Sequence, residues 1–553
     1  MSSTFEQGFY KAKFPSREPA DIYLVRHTVE KSVPASISLD YIKSLLLPTG
    51  VPQADPGGMV VPYEGGYAIL TLMQKDWTNE KTLAKSILDK MVELQNAYGS
   101  WYQMYYPYKY FGKYEDRKVD SGAALIGWAM ADYDKRNAST TYLTSWRKAA
   151  AFLKSLEWVI SDYASFVYNQ VIEGVKEQLA FTADMAEIIL ALLRGLDAYG
   201  EDVTDTNGNP MKRYAELLIQ GIDLYLWRQG DFYYQTEYPL GAQSNAKRDP
   251  STGEITWITL KQLLTFTQAL YTWAAKTWND MVAAGLKLNG MVLNSGFESD
   301  FANWYQNYSV IDTTYKHWGA KSSKLSVVTA EGQKPGACCY SVPIRLTHRY
   351  QLKIWYNVPS FTSGTYRLRI IFHNPDHTQE SIVTVLDVTA ATTGWTEVSK
   401  IVSSESMADI VFPSWTDHVH FDSLWLAGSQ GDAYTDDYLF YVLHEPNLKD
   451  ALDRTIALNR GRWGGYLYNP TWDEKDSLDE YPHLTALLKI ALEKVDSTRY
   501  SRWINQALRF MRWASLSNGA VADRVAPDGR AFASPMARGY LLVTSATCIL
   551  AGA

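Results

Sequence analysis

Cysteine is nearly absent from this chain: three in 553 residues, two of them the adjacent pair Cys338-Cys339. Neighbours on a strand point to opposite faces, so no disulfide framework is expected, and no Cys/His spacing reads as a zinc site. Long apolar runs are missing too. Nothing approaches the roughly 20 apolar residues of a membrane span, and Met1-Ser2-Ser3-Thr4-Phe5-Glu6-Gln7 lacks the basic start and apolar core of a secretory signal. The expectation is a soluble chain not exported by that route. Lys/Arg-rich runs are lacking as well: 53 basic and 60 acidic residues are spread along the chain for a net charge of −7, which argues against nucleic acid as a partner. Gly-x-Gly-x-x-Gly, Walker, nucleophile-elbow and His-Glu-x-x-His segments are all absent. Nucleotide-binding, Ser-triad and zinc-protease chemistries have no support.

Aromatic residues, by contrast, are abundant. They make up 14% of the chain, with 38 Tyr and 19 Trp, more than a core requires, and such an excess often lines surfaces that stack on sugars or bury against partners. The length calls for two or three domains.

The pattern along the chain divides it into four segments. Residues 1–62 carry scattered Pro and the turn-like Asp55-Pro56-Gly57-Gly58, an extended arm able to dock onto a larger assembly. Helical periodicity occupies 63–287, with helices expected over Tyr67–Met73, Thr82–Leu94, Ala123–Asp134, Tyr142–Val159, Thr182–Ala198, Met211–Trp227 and Thr259–Trp278. It returns over 431–553, at Tyr434–His444, Leu448–Leu458, His483–Lys494, Tyr500–Leu516 and Met536–Leu550. Between them, 288–430 alternates with period two, as in Tyr350-Gln351-Leu352-Lys353-Ile354-Trp355-Tyr356. One domain is inserted inside another. The expected fold is multidomain α plus β: about twelve helices interrupted by a jelly-roll β-sandwich of about eight strands, the last at His420–Leu426.

The helices also repeat weakly. An aromatic, Gly-containing loop, a polar or acidic stretch and an apolar helix recur, most clearly in Gly99-Ser100-Trp101-Tyr102 followed by Asp120-Ser121-Gly122. Helix pairs repeated this way must stack or close into a ring to bury their apolar faces. These segments, flanked by helical hairpins, resemble the α/α-toroid (six-hairpin) glycosidase superfamily. Asn294-Ser295-Gly296-Phe297-Glu298 with Trp304, and Thr393-Gly394-Trp395-Thr396, resemble carbohydrate-binding β-sandwich modules that open on Asn-x-Gly-Phe-Glu.

The toroid resemblance implies glycoside hydrolysis, which needs two carboxylates across the sugar, about 5 Å or roughly 6.5–9.5 Å apart according to stereochemistry. Acidic residues at the starts of helices would face the mouth: Asp120 with Asp184, and Asp479 or Glu480 as substitute. The plain alternative is that Asp120 and Thr182 are N-caps. The segment 473–480 could likewise be a polar loop or a calcium site, although its spacing is not that of an EF-hand. A lyase would use His and Tyr, but six of the nine His lie in the insertion and only Tyr481-Pro482-His483 offers such a pair. Sugar platforms are expected at Trp101, Tyr102, Tyr105, Tyr106, Tyr233, Tyr234, Trp257, Tyr466 and Tyr468 in the helical part, and at Trp304, Tyr305, Trp318 and Trp355 in the sandwich. No cofactor is expected for catalysis, while the module resemblance implies a structural calcium at Glu298 and Asp422. The expectation is a polysaccharide hydrolase with a polysaccharide or cell-surface glycan as partner. The alternative is a non-catalytic, virion-associated glycan-binding protein of a phage tail or capsid, which would act outside the cell without a leader.

Overall fold

The computed structural model describes residues 37–54, 58–106, 116–176, 180–228, 232–233, 247–248, 255–256, 264–328, 332–468, 479–516, 519–527, 529, 531–532 and 541–553. Two compact units emerge. One takes the chain up to Ile160, Ala164–Ala283 and Glu445–Ala553; the other takes Ala284–His444 with Ser161–Tyr163.

The first unit holds twelve helices among the described residues: α1 Leu39–Ser44, α2 Pro62–Lys75, α3 Trp77–Leu94, α4 Asp120–Asn137, α5 Leu143–Ser155, α6 Thr182–Tyr199, α7 Met211–Leu226, α8 Thr265–Ala283, α9 Glu445–Asn459, α10 Pro482–Asp496, α11 Ser501–Trp513 and α12 Leu541–Leu550. Their packing order is cyclic. Helix α2 lies on α4, α4 on α6, α6 on α8, α8 on α10, α10 on α12, and α12 back on α2. The intervening helices α3, α5, α7, α9 and α11 each pack on the ring helix that they follow or precede. Burial follows this order. In α4 every residue from Asp120 to Asp134 is buried, whereas α11 buries only Ile504, Ala507, Phe510 and Met511. A helix enclosed on all sides has no polar face, while an outer helix keeps one stripe inward.

Close approach requires glycine between α6 and α5. A Cβ on Gly195 would lie 1.9 Å from Cζ2 of the buried Trp146. The described part of the N-terminal segment folds onto this unit, since Ser38 N–H donates to Gly519 O at 3.2 Å and Leu542 N–H to Ala54 O at 3.0 Å. Residues 1–36, most of the expected arm, lie outside the described residues.

The second unit is a β-sandwich. Its strands are β1 Trp304–Tyr305, β2 Val310–Asp312, β3 Ser322–Val327, β4 Lys334–Cys339, β5 Val342–Pro343, β6 Tyr350–Ser363, β7 Tyr366–His373, β8 Glu380–Val388, β9 Thr396–Ser403, β10 Ile410–Val411, β11 His418–Trp425 and β12 Gln430–Val442. One sheet runs β1-β4-β11-β7-β8 with β5 beside β11; the other runs β2-β3-β12-β6-β9-β10. All pairs are antiparallel except β9 with β10. Phe297, Trp304, Tyr350, Tyr366, Phe421, Trp425, Tyr438 and Phe440 fill the space between the sheets.

Two expectations are corrected here. Tyr434–His444 is not a helix but most of strand β12, so the sandwich extends to His444 rather than ending at 430, and His420–Leu426 is not its last strand. Strand β12 is central, between β3 and β6, and is buried on both faces from Ala433 to Phe440. Burial on both faces, here even of Thr435, Asp436 and Asp437, removes the alternation that marks a half-buried strand, so periodicity alone cannot tell the segment from helix.

Replacing Gly195 with Ala is expected to destabilise the helical unit by about 1–3 kcal/mol through overpacking against Trp146, despite the better helix propensity of Ala. Urea denaturation measures it, and a variant as stable as wild type would contradict the close approach.

Candidate functional site

Ring helices α2, α4, α6 and α10 start at Val61, Val119, Phe181 and Tyr481, extended residues that supply no side-chain cap. The expected capping roles of Asp120 and Thr182 are therefore not found. Instead, first-turn and second-turn side chains of the ring helices meet one another.

Asp120 is fully buried. Its Oδ1 accepts the Ser121 N–H at 2.6 Å, and its Oδ2 is buried with no donor among the described residues. Burial, and then the charge of neighbouring Asp184, push Asp120 well above the ordinary carboxylate range. Asp184 is half-buried; burial raises it to about 6, against the opposing hydrogen bond from Asn169. Desolvation here outruns the N-terminal helix dipole, which favours the anion.

Asn169 positions both acids. It follows the hairpin Glu157–Ser161/Ala164–Val167 and leads into Gln170–Ile172, which pairs with Arg117–Val119 just before α4. Its carbonyl accepts the Asp120 N–H at 3.0 Å, and its Nδ2 donates to Asp184 Oδ2 at 2.7 Å.

One turn deeper in α6, buried Glu187 accepts the hydroxyls of Tyr67 at 2.8 Å and Tyr63 at 3.2 Å. Burial first, then the charge of Asp184, hold Glu187 well above its ordinary range. Tyr67 makes an edge contact with His483 of α10 at 6.0 Å, and His483 meets Phe266 of α8 at 5.9 Å. His483 Nδ1 lies 2.9 Å from Thr547 Oγ1, whose proton goes to Val543 O at 2.8 Å. Nδ1 therefore carries the hydrogen and Nε2 the lone pair. Burial lowers His483 to about 4, so its ring is neutral at pH 7. Residues of all six ring helices thus form one continuous cluster. Tyr63, Asp184, Phe266 and His483 are its half-exposed members, the ones that reach solvent.

Asp479 and Glu480 do not join this cluster. Asp479 pairs with Arg524 at 3.1 Å. Glu480 accepts the main-chain N–H groups of Trp463 at 2.5 Å and Gly465 at 2.6 Å, which holds the loop before α10. Burial nonetheless raises Glu480 to about 7. Its oxygens are spent on structure.

Three of the expected platforms in the helical unit are core residues. Trp101 is 1% exposed and donates Nε1–H to Met91 O at 2.7 Å; Tyr105 donates to Leu94 O at 3.0 Å; Tyr466 is buried. Tyr102 and Tyr468 are half-buried, and Tyr106 is exposed. Tyr234 and Trp257, the side chain of Tyr233, and the acidic segment 473–478 lie outside what the structure describes. Sequence reasoning missed Tyr63, Tyr67, Asn169 and Glu187. Glu187 follows Asp184 by three residues, one helical turn, and that spacing was the available signal.

In the sandwich, Trp304 is core: it packs on Phe297 at 4.6 Å and Tyr438 at 4.9 Å, and its Nε1–H reaches Asn294 O at 3.1 Å. The half-exposed His317, Trp318 and Trp395 gather elsewhere, around the buried Trp355. His317 stacks on Trp355 at 4.9 Å, Trp318 lies 5.0 Å from Trp355, and Trp395 lies 5.8 Å from His317. Trp395 also lines a 310 Å³ pocket with Tyr315, Asn357, Pro359, Thr392 and Thr393. His317 is fixed from below by Asp437, at 2.9 Å from Nδ1, and by Asp436, which accepts its N–H at 2.9 Å. Both Asp lie where the β6–β12 register shifts. Tyr305 forms a separate exposed pair with Tyr340 at 4.5 Å.

The expected metal pair is not assembled. Asp422 makes a two-pronged pair with Arg369, at 2.8 Å from Nε, while Glu298 accepts the N–H groups of Ala320 and Lys321 and neighbours Asp436 and Asp437.

No family model matches the chain, and no curated protein does. Among solved structures, the enzymatically active domain of tailspike protein 4 from bacteriophage CBA120 is similar at 11% identity and a TM-score of 0.23, over 28% of this chain and 21% of that one. The CBM22-2 xylan-binding domain of Paenibacillus barcinonensis Xyn10C is similar at 11% identity and 0.22, over 27% of this chain and 98% of the module. The C-terminal family 22 carbohydrate-binding module of Clostridium thermocellum Xyn10B is similar at 14% identity and 0.21, over 28% and 95%. The matched share is that of one β-sandwich domain. At these scores the likeness says nothing about ligand or reaction. No described helix is long and apolar enough to cross a membrane.

Because Asp184 is raised from 3.8 to about 6, the folded chain binds a proton there that the unfolded chain has already lost. The stability this contributes is complete below about pH 4 and is lost as pH rises through about 6. Asp184→Asn is therefore expected to flatten the fall in unfolding free energy across that window, measured by urea titration at several pH values. An unchanged slope would show Asp184 to be solvated like an ordinary carboxylate.

Proposed function

We propose that this is a glycan-active protein whose helical unit is an α/α toroid of the six-hairpin kind and hydrolyses a polysaccharide held by the sandwich. The observation that supports this reading is the carboxyl pair Asp120–Asp184 where the six ring helices meet, both raised by burial and with Asp184 its half-exposed member. The pair acts as one acid/base unit. Asp184 meets the glycosidic oxygen or the attacking water, and Asp120 holds the spare proton and keeps the unit's affinity for protons near neutrality. Tyr63 and His483 flank the substrate on the same floor. Polysaccharide is met outside the cell, so the protein works there or on a virus particle.

The aromatic group His317, Trp318, Trp355 and Trp395 serves as the sugar platform of the sandwich, since flat rings pack on pyranose C–H faces while Asn357, Thr392 and Thr393 offer hydrogen bonds to hydroxyls.

Reducing-end release from a panel of bacterial and plant polysaccharides tests the enzyme. Asp184→Asn is expected to lower release by about 10²–10⁴-fold while polymer retention in affinity electrophoresis persists, and Trp318→Ala is expected to weaken retention. Binding without release on every substrate would leave the non-catalytic, virion-associated reading.

A further inference from the structure

We infer that His373, His377 and His420 form a binding site for a divalent transition-metal cation of the zinc class on the β-sandwich, apart from the aromatic group and the carboxylates beside it. Ligand nitrogens of these three residues all lie within 4.8 Å of one another. Tetrahedral zinc with nitrogen ligands at 2.0–2.1 Å spaces them roughly 3.4 Å apart, so modest side-chain rotation closes the site.

The backbone explains the convergence. Strands β7 and β11 are adjacent, and His373 is paired directly with His418. Directly opposed residues share a face, and His420, two positions on, shares it too. His377 is returned to that face by the turn Asn374–Gln379, where it takes a positive φ of 56°. Asn374 and Asp376 hold the turn, through bonds to Gln379 N–H at 2.9 Å and to Thr378 Oγ1 at 2.7 Å. His377 lies 4.8 Å from His373 and 4.5 Å from His418, ring to ring. In sequence the signature is His-x-x-x-His on the strand end and turn, then His-x-His on β11. That spacing is not one of the familiar zinc patterns, which is why the sequence yielded no metal site.

The tautomers suit a cation. His420 Nδ1 lies 2.8 Å from the Cys339 carbonyl, which can only accept, so Nδ1 carries the hydrogen and Nε2 the lone pair. His418 Nδ1 lies 3.1 Å from Asp417 Oδ2, which leaves its buried Nε2 without a partner. His373 Nδ1 is also buried and unpartnered, while its Nε2 faces Glu380 at 3.7 Å. Four imidazoles packed merely as a core would leave these two nitrogens unsatisfied, at a desolvation cost. A metal ion takes His373 Nδ1 as a ligand, and His418, 6% exposed, is the nearest further donor for a fourth position. Burial, then neighbouring imidazoles, lower His420 to about 4, and burial lowers His373. Both rings are therefore neutral at pH 7, the form that coordinates. Imidazole-only donors favour zinc, copper, nickel or cobalt over calcium or magnesium.

Cobalt(II) titration of the full chain, purified without a histidine tag and stripped by chelator, tests the site. Expected are saturation at one Co²⁺ per chain with the visible ligand-field absorption of a four-coordinate ion, and displacement by one equivalent of Zn²⁺. His377→Ala, in an exposed turn, is expected to weaken Co²⁺ binding by more than about 10-fold with an unchanged circular dichroism spectrum, and His373→Gln is expected to do the same. Zn²⁺ is expected to raise the melting temperature of wild type and not of His377→Ala. Absence of saturable binding, or equal affinity in both variants and wild type, would overturn the inference.

Discussion

The hydroxyl of Tyr67, 2.8 Å from Glu187, is the contact on which the helical unit turns. It joins α2 to α6, which are not neighbours in the ring, and so spans the interior. Six helices closing on themselves leave a central space that apolar side chains from one wall do not reach across. Tyr67 fills it with a ring and ends in a polar group that must be satisfied. Its partner is a carboxyl that the same burial pushes well above its ordinary range. Thr71, one turn on, donates to Ala546 O at 2.8 Å and ties α2 to α12, the last link of the cycle. Closure of the ring and the raised carboxyls are two results of one constraint: polar groups held in the centre are cut off from water.

That constraint sets the properties of the carboxyl cluster. Solvent is excluded around Asp120 and Glu187, and no Lys or Arg is among the groups that shift them. Desolvation is thus unopposed by a cation and moves these groups upward. Glu480 shows the contrast. It is as deeply buried, yet accepts main-chain donors on both oxygens, so its environment is spent on holding a loop. Burial and a raised pKa are shared by both; exposure of the partner Asp184 to solvent belongs only to the first.

Much of this was legible in the sequence. Helix periodicity located α4, α6 and α10 to within a few residues, because these ring helices are long and mostly buried, and the Asn-x-Gly-Phe-Glu segment marked the start of the sandwich. Asp120 and Asp184 stood out as well, since each opens a repeat unit. What could not be read was contact between repeats. Tyr63 and Tyr67 stand about 120 positions from Glu187, and nothing local distinguishes them from other buried Tyr. Trp101, Tyr105 and Tyr466 turned out to be core for a related reason: an aromatic in a Gly-rich loop reads the same whether it faces solvent or, like Trp101, seals a helix end. The sandwich boundary failed at β12 because a strand covered on both faces loses its period. The histidines were counted but not joined, because a cross-strand pair and a left-handed turn bring them together.

The reaction proposed for the helical unit needs a group that takes and releases a proton near neutrality. His483, lowered to about 4, is a weak base and no acid at pH 7. The Tyr63 hydroxyl is already committed to Glu187. Asp120 is fully buried and pushed well above the ordinary carboxylate range, which keeps it from meeting a sugar directly. Under that proposal the acid/base work would fall on Asp184, half-exposed and raised by burial to about 6.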